Sequence, residues 1–543
     1  MSGLSLELMA LSHARPSAHI VIVALTAVLV GLVDAAMVVT GIGGAGSFQF
    51  VPSRIWLIGP LVWTVVAVPI ALVLLPLMKR WGSMIASATL VMLLAAIRLQ
   101  GQQVWLFAVV AVLGVLIALL RGRIMAWVVQ PRRALAIGIV GGLGAAAIVA
   151  AVVPLTRASA RPPADAGRPN VIVIFLDTVR YDAVFDAGGG VHPDLPALAR
   201  LRAQGTAFTR AYAASSWTLP STLAAVTGLP AHELGVSFDS QVYDRPDPTL
   251  AERFHRRGYR TAAVISNSFL NAGSGFARGF DTFEEAQAGL DLCRTAPGIM
   301  GDTYWPWFSA SVCNWTASDV TRRAQALMDD TDGPFFLTLN YMDAHDPYYV
   351  ERACGEPQGY AAAIRCLDRS LGPIVDWHSS RRPTVLAVVG DHGEQFGEHG
   401  LTHHGNSLFV QLLHVPLIVR SGPAATSADV NAEPISIAAL PSLVDGSNPA
   451  PPPQGPVRSV LYPQAATQAP ALWSALDGTW HLISRERGRS ALYNLMTDPL
   501  EEHDVFPEAP SDPDIARLRA AIDEMRRAPK PDLRTFRSLG YVH

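Results

Sequence analysis

Five apolar runs, at residues 19–40, 55–78, 83–98, 103–120 and 134–155, fill most of the first 158 residues. A helix that crosses the hydrocarbon core of a bilayer needs about 17–25 mostly apolar residues. The first, second and fifth runs are well within that range, and the third and fourth, at 16 and 18 residues, are short. A cleaved signal peptide would show one short apolar core and a small-residue cleavage site, not five runs. The pattern therefore predicts a five-helix transmembrane bundle. With the N-terminus cytoplasmic, the inside segments carry Arg15, Lys79, Arg80, Arg121, Arg123, Arg132 and Arg133, and the outside loops carry Arg54 and Arg98. That bias follows the positive-inside rule and places everything after about residue 158 outside. Asp34, within the first run, marks either a substrate path or a bundle-facing or interfacial carboxylate.

Charge divides the chain at the same place. Residues 1–158 hold ten Lys or Arg against Glu7 and Asp34, whereas the rest holds 32 basic against 43 acidic side chains. Half the chain is hydrophobic and 16% is charged, which excludes a disordered or nucleic-acid-coating protein. A length of 543 residues exceeds what one core supports.

Cys293, Cys313, Cys354 and Cys366 all fall in the outward part. Four cysteines allow three pairings, and the short-range one, Cys293–Cys313 with Cys354–Cys366, closes the smallest loops. An even count in an oxidising compartment favours disulfides over free thiols. Asn314-Trp315-Thr316 has the pattern of a glycosylation sequon. An Arg-, Ala- and Pro-rich tether over 156–169 precedes a continuous β-branched run at 170–176, as expected of a strand buried on both faces of a parallel sheet. Similar runs recur at 261–265, 335–341, 384–389 and 415–419, with helical patterns at 194–204, 249–257, 319–329 and 360–377. Such alternation predicts an α/β/α sandwich with a mostly parallel sheet over 159–447. A Pro-rich linker (448–456) leads to a small α+β subdomain within 448–543.

In a sheet of this kind, chemistry gathers beyond the C-terminal ends of the strands. Asp177 ends the first run, Asp391 and His392 end another in a Gly-Asp-His-Gly-Glu sequence (390–394), and His345 follows a third. Each taken alone is an ordinary cap or turn residue. Together they form a set of mixed O and N ligands for a divalent ion.

The sequence Asn-Val-Ile-Val-Ile-Phe-Leu-Asp-Thr-Val-Arg (170–180), the stretch Thr218-Leu-Pro-Ser-Thr (218–222) running on to Gly228, His345-Asp346-Pro347, and Gly390-Asp-His-Gly-Glu394 with Gly397-Glu-His-Gly400 resemble the sulfatase-like branch of the alkaline phosphatase superfamily. Leu492-Tyr-Asn-Leu with Asp498-Pro499, and the ending 539–542, resemble that branch's C-terminal region. A five-span anchor before such a domain is similar to bacterial phosphoethanolamine transferases and lipoteichoic acid synthases. The resemblance implies that Thr218 is the nucleophile. True sulfatases have Cys or Ser there, oxidised to formylglycine, and an Arg where this chain has Thr222. It implies one divalent metal ion held by Asp177, Asp391, His392 and the Thr218 oxygen. Sulfatases place a further carboxylate at the position of Thr178 and an Asn at that of His392, so the changed donor set favours Zn²⁺ or Mn²⁺ over Ca²⁺ or Mg²⁺. His345 and His404 take the positions that contact the transferred group or the leaving oxygen. His403 is adjacent, and the sequence does not say which of the two faces inward. His232 and His399 read as structural, and Glu394 and Arg180 either support the site or form surface pairs.

The expectation is thus a multi-pass enzyme of the cell membrane with an extracytoplasmic catalytic domain. It would act on phosphate esters of membrane lipids or envelope polymers, as hydrolase or transferase, through a covalent Thr218 intermediate. Its partners would be the bilayer and such a substrate, with no nucleic acid. One alternative is a sulfuric ester hydrolase working without formylglycine. Another, of a different class, is a catalytically silent envelope-organising protein.

Overall fold

All seven residues of the first strand, β1 (Asn170–Leu176), are buried. The computed structural model describes residues 167–286, 315–329, 333–348, 350–377, 382–421, 429–445, 455–462, 469–506 and 512–528. The five apolar runs, Asp34, Cys293, Cys313, Asn314 and the ending 539–542 lie outside them. Among the described residues no helix is long and apolar enough to cross a membrane.

Around β1 stand β2 (Thr206–Phe208), β3 (Arg260–Ile265), β4 (Thr282–Glu285), β5 (Phe335–Tyr341), β6 (Thr384–Gly390), β7 (Leu417–Arg420) and β8 (Asp429–Asn431). They form one eight-stranded sheet in the order β8-β2-β7-β6-β1-β5-β3-β4. β1 pairs in parallel with β5 on one side and β6 on the other. β7 runs antiparallel to both β6 and β2, so the sheet is mixed, with one reversed strand. The expected single strand at 415–419 is in fact split at Pro416. His414–Val415 pairs with Ala211–Tyr212 outside the main sheet, and only Leu417–Arg420 joins it. Proline has no N–H to donate to a ladder, which suits a break at that point.

The period of two in β1 accounts for the layers. Val171, Val173 and Phe175 face a core that also holds Leu219 and Leu223 of α2 (Thr218–Thr227) and Phe254 of α3 (Leu250–Arg256). Ile172, Ile174 and Leu176 face a second core, with Leu198 of α1 (Pro196–Ala203), Val320 of α4 (Ala317–Asp329) and Leu371 of α5 (Tyr360–Val375). Helices on both faces are why the central strands read as unbroken apolar runs. Helix α3 starts after Thr249, whose Oγ1 accepts from Glu252 N at 3.2 Å while the Glu252 carboxylate accepts from Thr249 N at 2.9 Å. This capping box moves the expected start at residue 249 by one. Cys354 and Cys366 form a disulfide that ties the segment before α5 to the helix itself.

The C-terminal part is an antiparallel sheet of β9 (Val457–Leu461), β10 (Leu472–Leu476), β11 (Trp480–Arg485) and β12 (Ala491–Asn494), covered by α6 (Pro513–Arg527). Its Leu461, Leu472 and Leu518 belong to the same core as Val171 and Phe175. A buried polar chain adds to that apolar contact. Ser474 Oγ lies 2.5 Å from His481 Nε2, His481 Nδ1 bonds Glu501, and the second Glu501 oxygen accepts from Val410 N at 2.8 Å. Ser, His and Glu in this order are also the residues of a hydrolase triad, but here all three are closed to solvent, at 1%, 0% and 1% exposure. The chain fastens the C-terminal sheet to the turn at Val410. Glu501→Ala leaves His481 Nδ1 and Val410 N buried without a partner. The expected loss is about 3 kcal/mol in urea unfolding, with Glu501→Gln recovering part of it.

Candidate active site

Leu176 and Gly390 are register partners on β1 and β6, so the residues that follow them, Asp177 and Asp391, leave the sheet side by side. Gly390 and Gly393 bracket the turn that holds the second carboxylate. A Cβ on Gly393 would collide with the Gln411 carbonyl oxygen, so this backbone approach needs glycine. Asp177, Asp391 and His392 are each 0% exposed, and one potential ligand atom from each lies within 4.8 Å of the other two. His392 Nε2 stands 3.9 Å from Asp177 Oδ1 and 3.7 Å from Asp391 Oδ2.

The bonding of this trio is incomplete in a particular way. Asp391 Oδ1 accepts from Thr178 N at 3.2 Å and from His392 N at 2.8 Å, while Oδ2 has no partner. Asp177 Oδ1 likewise has none. His392 Nδ1 donates to the Gly393 carbonyl at 2.9 Å, which leaves the Nε2 lone pair directed at the two orphaned oxygens. Burial, and then the charge of Asp177, push the Asp391 carboxyl well above the usual range. Burial, and then His404, hold the His392 imidazole well below its usual value. Two repelling carboxylates and a neutral imidazole, all dry, fit a divalent cation. The three ligand atoms lie close enough together for one ion to reach all of them after small side-chain shifts.

Thr218 opens α2 behind Trp217, an N-cap in extended conformation. Its Oγ1 is 3.3 Å from His392 Nε2, and Asn267 Nδ2 donates to it at 3.1 Å. The same amide nitrogen donates to Asp177 Oδ2 at 2.6 Å. Asn267 is itself fixed from both ends, since its N donates to Asn340 Oδ1 at 2.8 Å and its Oδ1 accepts from Phe269 N at 2.8 Å. Asn267 is not among the residues expected from the sequence. It follows β3 as Asp177 follows β1, and that strand-end position was the available signal. An amide, which does not titrate, was not sought there. The neighbouring hydroxyls are differently employed, because Ser215 donates to Val460 O at 2.6 Å and Ser221 to Asp391 O at 2.5 Å. Thr222, one turn after Thr218, keeps a buried hydroxyl without a partner.

Three imidazoles run outward from the buried trio. The His404 ring lies 4.6 Å from that of His392 and 4.9 Å from that of His345. His404 Nδ1 donates to the buried Glu394 at 3.0 Å, which leaves Nε2 directed elsewhere. His403 adopts φ 62° and is exposed, so His404 is the member of the pair at the site. Arg180 bonds the Glu394 carbonyl at 3.2 Å, Glu398 at 2.6 Å and Asp182 at 2.7 Å, and thereby braces this loop. Thr178 turns its hydroxyl onto the Asp177 and Ala344 carbonyls, at 2.7 Å each, and is held at φ 58°. It contributes a backbone N–H to Asp391, and no side-chain ligand. His232 and His399 lie apart from the trio. Burial lowers His232 to about 4, and the His399 ring stacks on Phe409 at 3.7 Å. Lys79 and Lys530 are the chain's two lysines, and the nitrogen bases grouped near Thr218 are the imidazoles of His392, His404 and His345.

Beneath the His345 turn, Asp343 accepts from Ala317 N at 3.0 Å with one oxygen, and the other is orphaned. Burial pushes it up to about 7, with Glu351 and Asp319 adding repulsion. Between pH 4 and 7 the folded protein therefore holds a proton that the unfolded chain has released, and stability falls as pH rises through that window. Asp343→Asn should remove this slope. Relative to the parent it should gain stability above pH 7, by up to about 4 kcal/mol, in denaturant titrations at pH 5 and pH 8.

Known proteins resemble this chain in sequence and in fold. The sulfatase family model matches residues 169–445. A choline-sulfatase of Rhizobium meliloti (strain 1021) is 22% identical over 67% of this chain and 87% of its own length. An uncharacterized sulfatase of Escherichia coli (strain K12) is 22% identical over 51% of this chain and 67% of its own. Among solved structures, the phosphonate monoester hydrolase of Agrobacterium radiobacter superposes with a TM-score of 0.51 at 17% identity, covering 66% of this chain and 95% of that one. Sulfatases of this family use a divalent metal ion, for which Asp177, Asp391 and His392 are the fitting residues. The chain belongs to the sulfatase family, and its fold is that of an enzyme of that family.

Proposed function

We propose that the protein is a membrane-anchored, metal-dependent enzyme that cleaves or transfers phosphate esters through a covalent intermediate on Thr218. The observation that carries this reading is the placement of Thr218 Oγ1, buried at a helix N-terminus between His392 Nε2 and Asn267 Nδ2. A hydroxyl is a weak nucleophile until its proton is removed or its pKa is lowered. A divalent ion held by Asp177, Asp391 and His392, with Zn²⁺ or Mn²⁺ favoured, would supply that lowering and would screen the anionic substrate. Asn267 orients the Thr218 oxygen by donating to it, and the first N–H groups of α2 offer donors for the transferred group. His404, backed by Glu394, and His345 stand where a developing alkoxide needs a proton or a compensating charge.

Phosphoryl chemistry is favoured over sulfuryl because Thr cannot become formylglycine. A Thr–sulfate lacks the second hydroxyl by which formylglycine expels sulfate, whereas a Thr–phosphate can be attacked at phosphorus. The choline-sulfatase relative supports the other reading, hydrolysis of a sulfate ester at the same residues. The five apolar runs and their flanking Arg and Lys support anchoring, and the Cys354–Cys366 disulfide supports an oxidising compartment outside the cytoplasm. The full chain, incubated with a panel of phosphodiester lipids and sulfate esters, then quenched, should yield a phosphate adduct on the peptide spanning Thr218. A sulfate adduct there would overturn the substrate class, and an adduct on Ser216 would overturn the nucleophile.

A further inference from the structure

A cavity of about 600 Å³ opens beside the site, a size typical of small-molecule pockets. Its floor is on the C-terminal sheet, where Leu461, Leu472 and Arg485 are successive register partners and Ile483 stands two residues before Arg485 on the same face. The facing wall includes Phe238, Leu408 and Phe409. Two contacts join this cavity to the nucleophile. Gly405, in the lining, follows His404 directly and donates its N–H to Ser216 O at 2.8 Å. Phe238 stacks at 4.1 Å on Trp217, the residue before Thr218.

Two of the polar side chains along the wall are already engaged in hydrogen bonds. Ser407 donates to Gln395 at 3.0 Å and Asn406 to the Thr402 carbonyl at 2.7 Å. His399 is stacked on Phe409, and Arg485 lies at the exposed edge. A sugar or peptide would find few free donors or acceptors on such a surface. A hydrocarbon chain would exclude water from it without leaving polar groups unpaired.

We propose that this cavity is a substrate subsite that takes the aliphatic chain of a lipid ester whose head group lies at Thr218. The inference rests on the function proposed above and narrows it from phosphate esters in general to amphiphiles with a long alkyl or acyl chain. The chain enters past Gly405 and lies on Leu461, Leu472 and Ile483, and the ester oxygen stays near His404.

The test uses the full chain carrying Thr218→Ala, in amphipol, with decyl phosphate bearing a terminal diazirine as the probe. After irradiation, peptides containing residues 401–409, Leu472 or Ile483 should carry at least tenfold more label than with the propyl analogue, and unlabelled decyl phosphate should compete. Adding Ala469→Trp, which places a large ring at the exposed edge of the lining, should lower that labelling about tenfold while circular dichroism stays unchanged. Equal labelling by the propyl and decyl probes, label confined to other parts of the chain, or no effect of Ala469→Trp would overturn the subsite. Cavity labelling in an enzyme that leaves every phosphodiester of the panel intact would refute the phosphoryl reading and keep the subsite. Turnover of phosphodiesters without cavity labelling would do the reverse.

Discussion

Thr218→Ala should lower turnover by roughly 10⁴-fold or more, the range found when a covalent nucleophile is removed, while metal content and circular dichroism remain those of the parent. The reason is local. Thr218 Oγ1 is the hydroxyl that meets both His392 and Asn267, whereas Ser215 and Ser221 spend theirs on carbonyls. Thr218→Ser should keep measurable activity, since it retains the oxygen and loses the methyl that restricts its rotamer. Asn267→Ala should fall between them, because the nucleophile stays but is no longer oriented. Single-turnover kinetics would separate these cases, with the phospho-enzyme absent in Thr218→Ala and slow to form in Asn267→Ala. Normal turnover by Thr218→Ala would end the covalent mechanism.

The second large effect concerns the carboxylate pair. Asp391→Asn keeps the volume and both backbone N–H contacts to Oδ1 but removes one of two buried charges that face each other. Activity should become undetectable, and metal measured by elemental analysis should drop well below one ion per chain. Without metal, the variant should unfold no earlier than the parent, and by the repulsion argument somewhat later, since relieving like charge in a dry site stabilises the fold. A merely structural Asp391 would show the opposite thermal shift with metal content unchanged. That contrast in sign makes the thermal measurement informative alongside the assay.

Much of the catalytic half was legible because its central strands are covered on both faces. Residues 170–176 and 335–341 read as strands to the residue, since helices on each side demand apolar side chains at every position. The short strands β2, β4 and β8 did not show. They are three or four residues long, carry mixed burial, and exist through partners distant in sequence. At the site, Asp177, Asp391 and His392 were visible as titratable groups at strand ends. Asn267 was not, although its amide touches both a ligand and the nucleophile. The choice between His403 and His404 was decided by a left-handed backbone at His403, which adjacent identical residues cannot reveal. The Ser474–His481–Glu501 chain was hidden for another reason. A buried His and Glu look like surface residues until the fold brings them together.

The pairing of Leu176 with Gly390 has a consequence for the order in which this enzyme becomes competent. Its two ligand carboxylates are placed by the hydrogen-bond ladder of β1 and β6, not by the path of a loop. A slip of one residue between these strands would exchange the side chains sent to the two cores, Val171, Val173 and Phe175 for Ile172, Ile174 and Leu176, and separate Asp177 from Asp391 in the same stroke. Selection against a misplaced core is therefore also selection against a misplaced site. The ion need not guide the chain as it folds. It arrives at a cradle that the central sheet has already finished, so loading can wait until the domain has reached whichever compartment supplies the metal.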